Sequence, residues 1–287
     1  MSNKKYGDLI SRNITKKSKH IEVKGPKIEF GGRELSGGTD LDISWYCPSE
    51  PFSVNDKIHT HDFDELLCFL PGNPSDLNEY QAEIELSLGE DGEKVVLAEP
   101  AIIYLPKGLP HGQLNFKKLV KPVSYMKICL SPRYSTTQKI VEKRYKKYIT
   151  NPTISNDIIK RCFYVNGKLV GKEETSIQKL AYAGKETSGA NLTMHWFSVK
   201  ESLVLYSPPH SHAYKQYELF VGGNPMNVED FDSEVEISLG EEAETHIIDS
   251  TAMVHIKEGL VHRQINFKRV GKPIIFVNFF LASDDQK

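Results

Sequence analysis

Two tandem copies of one small all-β barrel, joined by a short helix, are the fold this sequence predicts. Three observations predict it. Shifted by 151 residues, Gly38–Pro122 aligns on Gly189–Pro273 without a gap, and 27 of the 85 positions are identical. Within each copy, apolar and polar residues alternate with the period of a half-buried strand, as in Glu83-Ile84-Glu85-Leu86-Ser87-Leu88 and Glu234-Val235-Glu236-Ile237-Ser238-Leu239. These segments are short, rich in Ile, Val, Leu, Tyr and Phe, and bounded by turn formers such as Gly72-Asn73-Pro74 and its match Gly223-Asn224-Pro225.

In chain order, residues 1–37 form a polar, basic lead-in that either supplies extra strands or reaches across to a partner subunit. Residues 38–131 form the first barrel and 189–287 the second. Residues 132–188 link them, with lead-in strands and a helix over Thr137–Tyr148, where Ile140, Val141, Tyr145 and Tyr148 recur at helical spacing amid Lys, Arg and Glu. Trp45 and Trp196 fall on matched positions and are expected in the core. At 287 residues, 39% hydrophobic and 26% charged, the chain has ordinary globular composition. Lys+Arg 36 against Asp+Glu 38 gives a formal charge of −2, which argues against a protein that coats nucleic acid or an anionic membrane. The N-terminus lacks the apolar run of a signal peptide, and no stretch approaches the roughly 18 apolar residues of a spanning helix. Cys47, Cys68, Cys129 and Cys162 form no C-x-x-C pair and read as buried thiols of a reducing compartment. A cytoplasmic protein is expected.

Chemistry concentrates in the histidines. The first copy carries His59-x-His61, then Glu65, and much later His111; the second carries His210-x-His212, then Gln216, and His262. An isolated His-x-His is an ordinary strand feature. Here six of the ten histidines fall on three paired positions of a duplication in which most positions have diverged, and strand packing alone does not explain that. Three imidazoles and one carboxylate or amide suit a divalent first-row metal and leave open positions on a six-coordinate ion. On an ideal strand, at ~3.3 Å per residue, His61 and Glu65 lie about 13 Å apart. A bulge or loop must therefore intervene if both are ligands.

These residues resemble the two cupin motifs, G-(x)5-H-x-H-(x)3,4-E-(x)6-G and G-(x)5-P-x-G-(x)2-H-(x)3-N. Glu65 followed by Gly72 fits the first, and Pro106, Gly108, His111 and Asn115 fit the second. The leading glycines are replaced by Ser53, Val204, Pro100 and Thr251; in the second copy Lys257 replaces the proline and Gln216 the glutamate. The resemblance covers about 90 residues of each half. It implies a bicupin of two jelly-roll (double-stranded β-helix) barrels holding up to two divalent ions, Fe2+ first, with Mn2+, Ni2+, Co2+ or Zn2+ also permitted. The activity it most often implies is that of an oxygenase (dioxygenase-like) on a small oxygenated compound, with a carboxylate or carbonyl compound expected as substrate. A non-redox isomerase or decarboxylase is the alternative, and a non-catalytic binding or structural bicupin the second alternative. Pairing of barrels through their sheet edges into a homo-oligomer is also implied.

Charge separates the two copies. With three neutral imidazoles, Glu65 brings a divalent ion to about +1, whereas Gln216 leaves it near +2, a stronger Lewis acid that binds less tightly. Glu218, two residues beyond Gln216, replaces Leu67 of the first copy and is the candidate catalytic carboxylate. Gln113 and Gln264 share strand parity with His111 and His262 and are expected to line the barrels as substrate-binding amides. Lys257 and Arg263, present only in the second copy, are candidates for holding a substrate carboxylate. Phe63 and Tyr214 occupy matched inward positions between ligands. No phosphate-cradling Gly-rich loop, G-x-S-x-G or zinc-finger C-x-x-C is present.

Overall fold

The structure is a computed structural model. It describes residues 4–17, 23, 25–31, 40–54, 57–131, 149–165 and 168–281, and the side chains of these except 157–176. The helix expected over Thr137–Tyr148 and the side chain of Cys162 lie outside that set.

Among the described residues there are twenty-two strands. The first eleven are β1 (Ile10–Ser11), β2 (Thr15–Lys17), β3 (Pro26–Phe30), β4 (Asp42–Tyr46), β5 (Phe52–Val54), β6 (Glu65–Pro71), β7 (Ala82–Leu88), β8 (Glu93–Leu97), β9 (Ala101–Leu105), β10 (His111–Leu119) and β11 (Val123–Cys129). The rest are β12 (Ile149–Thr150), β13 (Thr153–Val165), β14 (Lys168–Ala183), β15 (Thr193–Val199), β16 (Leu203–Leu205), β17 (Lys215–Gly222), β18 (Ser233–Leu239), β19 (Glu244–Ile248), β20 (Ala252–Ile256), β21 (Ile265–Val270) and β22 (Ile274–Leu281). One α-helical turn, α1 (Gly184–Thr187), leads into β15.

The duplication in sequence is a duplication in space. Each barrel is a seven-stranded sheet facing a four-stranded one, all antiparallel. The orders are β12-β9-β6-β11-β4-β3-β2 with β5-β10-β7-β8, and β1-β20-β17-β22-β15-β14-β13 with β16-β21-β18-β19. The lead-in segments are exchanged. β1, from the chain start, closes the edge of the second barrel by pairing Ile10 with Val254, while β12 closes the first by pairing Ile149 with Ile103, the matched position. Each then returns to its own side: β2 pairs with β3, and β13 with β14. The lead-in therefore does supply strands, and it caps a sheet edge that would otherwise present unpaired backbone groups.

The large sheets are buried on both faces. β6 is buried along its whole length, with Leu66, Cys68 and Leu70 on one face and Glu65, Leu67 and Phe69 on the other. The first face joins the opposite barrel's Tyr217, Leu219 and Val221 in one apolar cluster that spans both copies. Trp45 and Trp196 meet there with ring centroids 5.0 Å apart, each at most 1% exposed. Removing a Trp side chain of this size from water is worth about 4–6 kcal/mol as an upper bound, so the contact fixes how the barrels sit on each other. The second face of each large sheet looks into its own barrel, and the histidines are found there. Cys47, Cys68 and Cys129 are buried free thiols, as expected.

Candidate metal centre

The histidine segments are tied to one another by backbone. His59 and His111 exchange N–H···O bonds of 2.9 and 3.0 Å, and His210 and His262 do the same at 3.1 and 2.9 Å. The chain then leaves the extended path between His61 and Glu65, supplying the interruption that the spacing required. The motif glycine ties the loop before His111 or His262 to this break: Gly108 (φ 80°) and Gly259 (φ 73°) adopt a left-handed conformation and donate N–H to His61 O and His212 O, both at 2.9 Å.

In each barrel the three imidazoles converge. One ligand atom from each of His59, His61 and His111 lies within 4.8 Å of the others, and the same holds for His210, His212 and His262. Hydrogen bonds fix the tautomers. Nδ1 of His59, His111, His210 and His262 each faces the backbone carbonyl two residues before it, at 2.9, 2.9, 2.8 and 3.1 Å. A carbonyl only accepts, so Nδ1 carries the proton and the Nε2 lone pair is left for a cation. His61 and His212 are held differently, stacked on Phe63 and Tyr214 at centroid distances of 4.8 and 4.5 Å.

The fourth position distinguishes the barrels. In the first, Glu65 Oε2 lies 3.1 Å from His111 Nε2 and 3.5 Å from His61 Nε2, and Cys129 Sγ donates to Oε1 at 3.7 Å. Burial raises the carboxyl's pKa, but the facing His111 and His61 rings and the nearby Lys127 charge outweigh it and hold Glu65 well below the usual carboxylate range. With His111 Nδ1 committed to Leu109 O, its Nε2 meets a carboxylate oxygen, and a cation shared between them satisfies both. In the second barrel, Gln216 Nε2 donates to Glu218 Oε1 at 3.0 Å and to Asn278 Oδ1 at 2.9 Å. Gln216 Oε1 is buried and has no hydrogen-bond partner among the described residues. A buried acceptor without a donor is costly, and a metal ion is the partner its chemistry fits. Glu218 is fully buried; that burial pushes its carboxyl up to about 8, with the Gln216 bond opposing only in part. His262 is pushed down to about 4, mainly by burial and then by His210 and His212 against the pull of the Leu260 carbonyl; burial also lowers His212 and His59.

The other expected site residues lie on the segments that carry His111 and His262. Gln113 does not follow the parity of His111: the ladder slips between Gly112 and Asn115, and Gln113 (φ 50°) is exposed, accepting a bond from Ser87 Oγ at 3.2 Å. Gln264 precedes β21 and is half-buried. Lys257 is exposed. Arg263 turns to the neighbouring turn, donating Nη2–H to Glu241 O at 3.0 Å. Two residues that sequence reasoning missed belong to the second site. Asn278 sits between Phe276 and Phe280 on the inner face of β22, a lone polar residue in an apolar strand, and that was its signal. Ser207 places its hydroxyl 2.8 Å from His210 Nδ1, in a proline-flanked loop that carries no periodicity.

No protein-family model and no curated sequence matches the chain. Solved structures do resemble it. AerE from Microcystis aeruginosa superposes with a TM-score of 0.53 at 13% identity, covering 94% of this chain and 98% of that one. The Bacillus subtilis oxalate decarboxylase, in a structure described by its Mn(II) centres, gives 0.57 at 12%, covering 95% and 76%. The Lactobacillus farciminis oxalate decarboxylase formate complex gives 0.55 at 13%, covering 91% and 82%. At these identities the likeness establishes the fold, an all-β tandem barrel of the cupin type. No helix among the described residues is long and apolar enough to cross a membrane.

Proposed function

We propose that the chain is a metal-dependent enzyme acting on a small carboxylate or carbonyl compound, with one divalent ion held in each barrel and the reaction carried by the second. The observation that carries this is the Gln216 amide. It offers an unpartnered oxygen on one side and on the other grips a buried carboxylic acid, Glu218, through the same Nε2. His210, His212, His262 and Gln216 would hold the ion, and His59, His61, His111 and Glu65 would hold its counterpart. A bound divalent ion supplies Lewis acidity toward a substrate oxygen. Glu218 holds or accepts a proton at the same rung of the barrel, while Asn278 fixes the amide so that Oε1 stays exposed to the ion. Tyr214 and Phe280, with rings 5.9 Å apart, both pack against the His212 ring and flank the site.

A proton-transferring group so placed favours the isomerase or decarboxylase reading, and the oxalate decarboxylase structures support a small carboxylate as substrate class. The oxygenase reading rests on a different feature, the three-imidazole set with open positions in both barrels. Iron and manganese head the candidate ions; nickel, cobalt and zinc suit the same ligands. Metal content by elemental analysis, on wild type and on His59→Ala/His61→Ala and His210→Ala/His212→Ala, tests the framework: each pair is expected to lose one ion. Turnover of candidate carboxylates under strictly anaerobic conditions separates the chemistries. Oxygen consumption coupled to turnover, with none in its absence, overturns the non-redox reading.

A further inference from the structure

The segment that carries His262 in the second barrel rests on a turn held by residues that precede the first barrel. Residues 4–12 run across the outside of the second barrel before β2 joins the first. Leu9 and Ile10 are buried in the second barrel's own apolar cluster. Tyr6 N donates to Glu244 Oε1 at 3.1 Å, Lys5 Nζ pairs with Glu242 at 2.8 Å, and Arg12 Nη2 donates to Ile247 O at 2.7 Å. Lys4 Nζ bonds Thr245 O. All of these grip the turn and strand that follow β18.

The tip of that turn is Gly240, in a left-handed conformation (φ 78°), and the Tyr6 ring lies directly on it: a Cβ at residue 240 would overlap the ring. On its other side the turn touches the segment that presents a candidate ligand. Gly240 donates N–H to Val261 O at 2.7 Å, Glu241 O accepts from Arg263 at 3.0 Å, and Leu239 bridges to His262. Val261 and Arg263 are the two neighbours of His262. The turn is thus clamped between Tyr6 and the His262 segment. In the first barrel the matched Gly89 makes the same bond to Pro110 O at 2.7 Å, so the turn-to-ligand contact belongs to the fold, whereas Tyr6 acts on the second copy alone.

We infer that Tyr6 is a positioning residue for His262, so that the chain start sets the metal affinity of the second barrel and not of the first. The inference rests on the metal reading above and is tested so that the two fail separately. Co2+ is titrated into metal-free protein and followed by its absorption bands, in the His59→Ala/His61→Ala background to report the second site and in the His210→Ala/His212→Ala background to report the first. Tyr6→Ala is expected to weaken the second site about tenfold, the lower end of what displaced ligand-orienting groups cost. The first site should stay within twofold. Tyr6→Phe keeps the ring on Gly240, loses its hydroxyl contacts with Glu242 and Lys5, and should behave as wild type. Equal weakening of both sites, or no weakening of the second, overturns the inference. Hydrogen exchange at the Gly240 and His262 amides of the metal-free protein gives an independent readout, since both are bonded here, to Val261 O and His210 O. Tyr6→Ala should speed both by tenfold or more, with the Gly89 and His111 amides unchanged. If the second barrel takes no Co2+ at all, the metal reading falls, and the exchange rates alone decide whether Tyr6 holds the His262 segment.

Discussion

The two barrels share three histidines and differ in where they keep their carboxylate. In the first it stands beside the triad as Glu65, ionised and facing His111 and His61. In the second it has moved two residues along the same strand face to Glu218, and an amide, Gln216, fills the vacated place. Opposite these residues, β11 carries Lys127 where β22 carries Asn278, each paired with the matched residue Leu67 or Glu218. On the proposed reading the first barrel's acid would neutralise an ion, with the Lys127 charge nearby. The second would turn a neutral amide toward the ion and keep a buried, protonatable acid beside it. One substitution pair converts an ion-holding design into one suited to acid–base chemistry.

The sharpest way to break this comparison is to remove ligands one barrel at a time. His210→Ala/His212→Ala is expected to lower activity at least about a thousandfold, the loss of several kcal/mol of charge stabilisation. His59→Ala/His61→Ala should cost an ion and leave a folded enzyme within about tenfold of wild type. Equal losses in steady-state turnover would place chemistry in both barrels. Exchanging the acids comes next. Glu218→Gln should retain both ions yet turn over about 10²–10⁴ times more slowly, the usual worth of a positioned acid or base. Glu65→Gln should leave turnover nearly unchanged while weakening the first site's metal affinity about 10–100-fold. Elemental analysis beside kinetics on the same preparations separates the two effects.

Much of this was legible in the sequence because duplication acts as an internal control. It marked Trp45 and Trp196, the three paired histidines, and the glutamate-to-glutamine exchange. What it could not mark were residues whose placement depends on the ladder slipping or on a non-repeated segment. Gln113 fails its parity because the bulge after Gly112 turns it outward. Arg263 also braces a turn, a use visible only once Glu241 is seen beside it. Lead-in residues 4–12 carry no repeat signal in the gapless alignment, and their exchange onto the second barrel follows from strand pairing alone.

The matched tryptophans test whether the barrels depend on each other for stability. Trp45→Ala or Trp196→Ala should each cost about 3–5 kcal/mol, the range for deleting a buried indole, and lower Tm in thermal unfolding. Because the rings touch, the double variant should cost less than the sum. Strict additivity would mean that the barrels are docked by the surrounding aliphatics instead.

A smaller asymmetry lies on the same docking face. His255 stacks on Tyr217 with centroids 4.6 Å apart and planes 7° from parallel, where the first barrel has Tyr104 and Leu66. Burial, reinforced by Lys257 and Lys215 and opposed by Asp40, pushes the His255 pKa down from 6.5 to about 4. Its Nε2 is buried with no hydrogen-bond partner among the described residues, so nothing compensates a charge there. Between pH 6.5 and about 4 the unfolded chain binds a proton at this position that the folded chain refuses. Folding stability contributed by the neutral ring is therefore complete above about pH 6.5 and is lost as pH falls toward 4. The shift corresponds to at most about 3 kcal/mol, and partial solvent screening reduces the expectation to about 1–2 kcal/mol. His255→Phe keeps the stack and removes the titration. The difference in urea midpoint between the variant and wild type should grow in the variant's favour from pH 7 to pH 4, while the ligand histidines, common to both proteins, cancel. A constant difference across that range would show that His255 accepts its proton in the folded state as readily as in the unfolded one.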